Sequence, residues 1–259
     1  MSSPIWTPDA LASEFRRHEG RCWRLVEAQN RVSTLRLTDT LDEQALLEEL
    51  IDDTKPPIPP ECRHLDYLLA TPFRYGAVYP HGSRFRRAGR TAGVFYGALA
   101  PTTAVAEVAF YRLLFYAESP ATPWPTGTAD YTGFAAEIAT DRLLDLTAPP
   151  LARDEARWGD LTDYAHCQTV ADTARTAGCG VILYRSVRDP GGGANLAVLA
   201  CAAFSKPYPV ERQTWRLRFG SHGVQALCEH PRLAFEFAPD TFAADPRIAA
   251  LNRTRAPKR

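Results

Sequence analysis

The spacing of apolar positions switches between a helical and a strand-like period several times along this chain. Residues 8–18 carry helix signals, with Thr7 and Pro8 at the start and Gly20 as a stop, and residues 22–27 read as a strand. A second helix is predicted over 40–51. Thr40 caps it, Leu41, Leu47, Leu50 and Ile51 make an apolar face, and Asp42, Glu43, Glu48 and Glu49 stay in water. The run Lys55-Pro56-Pro57-Ile58-Pro59-Pro60 then stops regular structure, because proline has no backbone N–H and a fixed φ. It reads as an ordered loop or a hinge.

Downstream, β-branched and aromatic residues predict a strand over 93–98, and Pro101-Thr102-Thr103 opens a helix that runs to about Tyr116. Further strands are predicted at 134–138, 180–184, 196–204, 214–219 and 232–237, with a helix over 160–177. This order is mixed rather than strictly alternating, so the fold class is α+β. No G-x-G-x-x-G follows a strand, which argues against a Rossmann dinucleotide site. The last residues, NRTRAPKR, read as a solvated tail.

Composition narrows the function classes. With 259 residues and 45% hydrophobic content the chain can bury a substantial core. Thirty Lys and Arg balance thirty Asp and Glu, so no long-range positive field draws the protein to nucleic acid or anionic membrane. The six cysteines show no CxxC and no zinc-type spacing with histidine, so neither a metal site nor a disulfide framework is expected. No signal peptide or spanning segment is visible either. The expectation is a soluble cytoplasmic protein with free thiols.

Three segments carry candidate chemistry. Glu107 sits in the second predicted turn of its helix, within Ala104-Val105-Ala106-Glu107-Val108-Ala109-Phe110. Periodicity is compatible with two placements, the solvent stripe of an amphipathic helix or a cleft, since an unpaired buried carboxylate is costly. Tyr96 ends the preceding strand, a short turn away, and can line the same cleft. Upstream, the glycine-bounded loop Gly82-Ser83-Arg84-Phe85-Arg86-Arg87-Ala88-Gly89 can present guanidinium groups to a pyrophosphate, or be a solvated arginine loop. His81 beside it reads as incidental, and Arg74 is either a second phosphate ligand or one half of a surface salt bridge. Finally, Ser186 lies where a strand turns into Gly191-Gly192-Gly193, and Asn195 opens the next strand. No GxSxG elbow surrounds Ser186, which weakens a serine-hydrolase reading.

Taken together, GSRFRR, GVFYGALAPTTAVAEVAFYR and ILYRSVRDPGGGANLAVL resemble the RES-domain family, named for its Arg, Glu and Ser. The resemblance covers about residues 21–205. Tyr96 and Glu107 are eleven positions apart, as the family's strand-to-helix pair is, and Trp23-Arg24-Leu25 looks like its opening strand. The step Arg84-Phe85 is about two residues further from Tyr96 than in short members, which keeps Arg86 as a rival for the Arg role. The implied organisation is an extension over 1–20, a RES domain over 21–240 with an inserted segment at about 28–72, and a tail over 241–259, as in a longer, ParT-like subgroup.

The resemblance implies a split mixed sheet with flanking helices, similar to ADP-ribosyltransferases, and a toxin paired with an Xre-like antitoxin. It implies NAD as substrate and no metal. NAD would be cleaved at the nicotinamide–ribose bond and its ADP-ribose placed on a protein, with an enzyme of nucleotide biosynthesis as the kind of acceptor. Hydrolysis or phosphorolysis of NAD is the alternative, and a module without activity is a different class altogether. Breaking that bond develops positive charge on the ribose. In this reading Glu107 stabilises the charge, Tyr96 packs on the nicotinamide, Arg84 neutralises the pyrophosphate with Arg86 and Arg74 as further candidates, and Ser186 and Asn195 orient the substrate.

Overall fold

The computed structural model describes residues 6–28, 37–76 and 81–249. Its strands are β1 (Arg16–Glu27), β2 (Phe95–Ala98), β3 (Ala129–Asp145), β4 (Val181–Arg185), β5 (Ala194–Val198), β6 (Glu211–Gly220), β7 (Gly223–Cys228) and β8 (Leu233–Phe237). Its helices are α1 (Pro8–Ala12), α2 (Leu41–Asp53), α3 (Tyr67–Arg74), α4 (Pro101–Glu118), α5 (Glu155–Trp158), α6 (Ala165–Thr176) and α7 (Pro246–Ala249). The class is α+β, as the order of elements predicts: a mixed sheet in the order β1-β2-β5-β4-β3-β6-β7-β8, flanked by helices.

The long strand β3 gives the sheet its split form, because it changes neighbour along its length. Residues 129–135 pair with β6, and Leu143 to Asp145 pair in parallel with β4. Throughout, β1 runs antiparallel along the other side of β3. Trp23 of β1 also pairs with Ala98 of β2, so β1, β2, β5, β4 and β3 close into a ring from which β6, β7 and β8 extend.

Sequence pattern follows this placement. In β6, Gln213, Trp215, Leu217 and Phe219 point inward while Arg212, Thr214, Arg216 and Arg218 are exposed, the period-two signature of a strand wet on one face. In β4, Val181 and Ile182 are both fully buried although they point to opposite faces, because helices and turns cover both sides. Helix α4 starts with Pro101 in its first turn, is rich in alanine and leucine, and ends before a segment holding Pro120, Pro123 and Pro125. Val105, Ala109, Phe110 and Leu113 belong to the buried face of this helix, which packs toward β7, β8 and α7.

Several expectations change. Residues 16–18 are strand rather than helix, since pairing with β3 extends β1 toward the N-terminus. Thr40 and Glu43 do form a reciprocal capping box on α2, yet Leu41, Leu50 and Ile51 of its expected apolar face are exposed and only Gln44 is buried. The expected tail does not begin at 241, because Phe242, Asp245 and Ile248 are buried beneath α4. NRTRAPKR itself lies outside the described residues. Cys62 and Cys201 form a disulfide, against the expectation of free thiols. They are 139 residues apart in sequence and 5.4 Å apart at Cα, a proximity that only the folded chain creates. Cys22, Cys167, Cys179 and Cys228 are free and buried. No helix among the described residues is long and apolar enough to cross a membrane.

Candidate active site

Between α4 and the strands β1 and β2 lies a cavity of about 550 Å³, within the range that holds small molecules. Glu107, Val108, Tyr111, Arg112 and Phe115 line it from α4. Apart from Val108, which also packs against the core, these residues form the stripe of the helix that stays out of it. The two placements open for Glu107 are therefore reconciled: it occupies the polar stripe, and that stripe faces a cleft.

Among the described residues, the hydrogen bonds to the Glu107 carboxylate reach one of its two oxygens. Its Oε1 accepts from Ser186 Oγ at 2.7 Å and from Asn195 Nδ2 at 2.7 Å. Ser186 Oγ in turn accepts from the backbone N–H groups of Arg188 (3.1 Å) and Asp189 (3.0 Å), so its hydroxyl hydrogen is directed at Glu107. Both Ser186 and Asn195 are 3% exposed, hence fixed by their surroundings. With Oε1 occupied by two donors, Oε2 is the oxygen available to a ligand.

The glycines beyond Ser186 let this turn close against α4. Gly192 has φ +70°, and a Cβ on Gly193 would come within 2.2 Å of Thr103 Oγ1.

Tyr96 lines the cavity, and its hydroxyl is bonded to Ser83 Oγ (2.8 Å) and accepts from the Phe85 N–H (3.0 Å). Burial raises its pKa, which keeps the phenol neutral. This tyrosine thus pins the basic loop to β2 as well as offering a ring to the cavity. Arg84 also reaches the cavity wall. Its guanidinium donates to the carbonyls of Trp158 (2.6 Å) and Asp160 (2.9 Å) and lies over the Tyr164 ring.

Two of the arginines proposed from sequence go elsewhere. Arg86 is buried, donates to the Gly76 carbonyl, and is not among the residues lining the cavity. Arg74 forms a two-pronged ion pair with Asp52 of α2, at 3.2 Å for the closer contact, and is likewise absent from the lining. Its salt-bridge reading is the one this geometry supports.

The structure adds a residue whose charge the sequence reading did not use. Arg24 of β1 lines the cavity, donates to the Tyr96 carbonyl at 2.9 Å and lies over the Phe95 ring. Among the described residues no carboxylate pairs with it, and burial lowers its pKa. An uncompensated cation on a cavity wall is a ready anion site. The signal was present: Cys22, Arg24 and Val26 share one face of the strand, so a charge stands at a position between two apolar ones.

Two other additions fall within ILYRSVRDPGGGANLAVL without having been given a role there. Tyr184 faces the cavity, with its pKa raised well above the usual value by burial and then by the Glu107 charge. Arg188, over the Phe110 ring, is paired with the fully buried Asp245 at 2.8 Å and so contributes shape more than free charge.

Three chains of solved structures match this one. One belongs to the MbcT–MbcA toxin–antitoxin complex of M. tuberculosis; it is 16% identical, covers 90% of this chain and 95% of that chain, and has a TM-score of 0.41. No curated protein matches. The RES-domain family model matches residues 58–220, a stretch that contains Arg84, Tyr96, Glu107, Ser186 and Asn195 and leaves out β1 and α7. With well over half of its length matched, and with those five residues gathered on one cavity or against its carboxylate, this chain belongs to the RES-domain family.

Proposed function

We infer that the protein is an NAD-consuming toxin of a type II toxin–antitoxin pair, cleaving the nicotinamide–ribose bond at Glu107 and transferring the ADP-ribose to a cellular protein. The observation that carries this reading is the one-sided grip on Glu107: Oε1 is saturated by Ser186 and Asn195, which leaves Oε2 for the substrate in a cavity that also displays Arg24.

The chemistry follows from charge. As the C1′–N bond breaks, its electron pair goes to the departing nicotinamide ring and positive charge develops on the ribose. A carboxylate whose position is already fixed stabilises that charge without reorganising, the kind of electrostatic effect that supplies much of enzymatic acceleration. Arg24 and Arg84 serve the pyrophosphate, and the rings of Tyr96 and Tyr184 border the nicotinamide. The acceptor then forms the new bond to C1′ and gives up its proton.

Tyr111 and Phe115 support a protein acceptor over water or phosphate. Both line the cavity, yet they are 55% and 47% exposed, which makes an apolar rim where a protein surface can seat. An enzyme of nucleotide biosynthesis in the cytoplasm is the kind of target we assign, and an Xre-like antitoxin the partner that restrains the toxin, both by family resemblance.

The deciding experiment incubates purified protein, with and without antitoxin-free cell lysate, with NAD labelled in the adenine. Free nicotinamide and label on protein are followed together. Nicotinamide release with label on a discrete band is the expected result. Release with all label remaining in small molecules replaces transfer by NAD degradation, and no release under any condition overturns the enzymatic reading.

A further inference from the structure

Glu107 and the turn that holds it belong to different parts of the chain, and a second carboxylate ties the two together. Asp189 Oδ2 accepts from Thr103 Oγ1 at 2.7 Å and from the Gly193 N–H at 3.2 Å, while its Oδ1 accepts from the Gly191 N–H at 2.8 Å. Thr103 is four residues before Glu107, on the same side of α4, and is 1% exposed. Its hydroxyl therefore anchors the helix one turn below the carboxylate. The Asp189 N–H closes the connection by donating to Ser186 Oγ, which donates to Glu107.

We propose that Asp189 is a positioning residue for Glu107: through Thr103 it fixes the spacing between α4 and the 186–193 turn, and so holds Ser186 where it fills Oε1 and leaves Oε2 to the substrate. This rests on the NAD-cleaving reading of the site. The result is a closed ring of contacts, Asp189 to Thr103, one helical turn to Glu107, across to Ser186 and back to Asp189. Gly193 completes it, since a side chain there would strike both Thr103 Oγ1 and Asp189 Oδ2, at 2.2 and 2.4 Å. Asp189 does not line the cavity. Its effect on the reaction passes through geometry.

Loosening the ring lets the turn drift from α4 and the carboxylate rotate, and a misplacement of about 1 Å can cost about 100-fold in rate. Thr103→Val keeps the side-chain shape and removes the donor; Thr103→Ser keeps the donor. Steady-state NAD cleavage is measured for both, beside Glu107→Gln and Asp189→Ala, with hydrogen exchange at the Gly191 and Gly193 amides of Asp189→Ala. We expect Thr103→Val to lower kcat by about 10- to 100-fold with KM unchanged. Thr103→Ser restores kcat, and Asp189→Ala speeds exchange at both glycines. Wild-type kcat in Thr103→Val, or an equal loss in Thr103→Ser, overturns the role of Asp189 provided Glu107→Gln is inactive. Full activity in Glu107→Gln instead overturns the reading of the site on which the proposal rests.

Discussion

Asn195 donates its side-chain amide to Glu107 Oε1 at 2.7 Å, across 88 positions of sequence. Asn195 is the second residue of β5, whose pairing with β2 puts it opposite Ala98, just before the turn into α4. Sheet register thus determines which side chain meets the carboxylate. Ser186 approaches the same oxygen from the turn between β4 and β5, so the two donors come from the two strands at the turn end of one hairpin.

Glu107→Gln keeps the shape of this side chain and its acceptor toward Asn195 and Ser186, and removes the charge. We expect NAD cleavage to fall by about 100-fold or more, as when a single stabilising group is removed from other active sites. Nicotinamide release checks it. Activity near wild type would sink the role assigned to Glu107.

Arg24→Met should separate binding from stability. Losing a charge-assisted contact to phosphate costs about 1.5–3 kcal/mol, so KM for NAD rises by about 10- to 100-fold. Stability changes little, because the variant also removes a charge that no carboxylate among the described residues neutralises, and sacrifices one bond to the Tyr96 carbonyl. The pairing of a higher KM with a nearly unchanged Tm is the expected signature. An unchanged KM rules out a pyrophosphate contact.

Arg84 and Arg86 should part company in the same assays. Arg84→Ala removes a cavity-lining cation and is expected to raise KM. Arg86→Ala removes the bond to the Gly76 carbonyl, so Tm falls while KM holds. The opposite pattern would return the phosphate role to Arg86.

Asp245→Asn tests how far α7 supports the site, through stability as a function of pH. Burial of Asp245 works to raise its pKa, but the bonds from Arg247 and the charges of Arg188 and Arg247 outweigh it and hold the pKa below the ordinary carboxylate value. A carboxyl lowered on folding stabilises the protein at pH above its unfolded pKa of about 3.9, and this contribution is lost as pH falls through the folded value. Because Asp245 and Arg188 are almost fully buried, breaking the pair should cost about 3–5 kcal/mol at neutral pH. The Tm deficit of Asp245→Asn should then shrink as pH is lowered below 4; a deficit independent of pH would contradict the assignment.

Thiol titration tests the disulfide. The native protein should react slowly, since Cys22, Cys167, Cys179 and Cys228 are buried, and burial pushes the Cys22 thiol up to about 12. Unfolding without reductant should expose four thiols, and unfolding with reductant six. Six without reductant would show that Cys62 and Cys201 are not joined.

Much of the architecture was legible because it rests on local rules. Pro101 before an alanine-rich run announced α4, Thr40 as a cap announced α2, and the apolar runs at 180–184 and 196–204 announced β4 and β5, although β5 stops at Val198 and Cys201–Ala203 form a short turn instead. β7 and α3 were not predicted. The first continues from β6 through a turn of only a few residues, and the second is short, with Pro72 inside it. At the candidate site, the short strand–turn–helix spacing put Glu107 and Tyr96 near one another and both line the cavity, whereas the placement of Arg74 and Arg86 depends on partners found only in three dimensions.

Local pattern was enough for the α+β class and for the helix that carries Glu107, since periodicity and capping are properties of neighbours along the chain. Folding in three dimensions set which oxygen of Glu107 is held, which arginines face the cavity, that Leu41, Leu46 and Leu50 of α2 stay exposed, and that Cys62 meets Cys201. These contacts join residues tens to more than a hundred positions apart, and strand pairing and packing, rather than any local preference, bring them within hydrogen-bond or van der Waals reach.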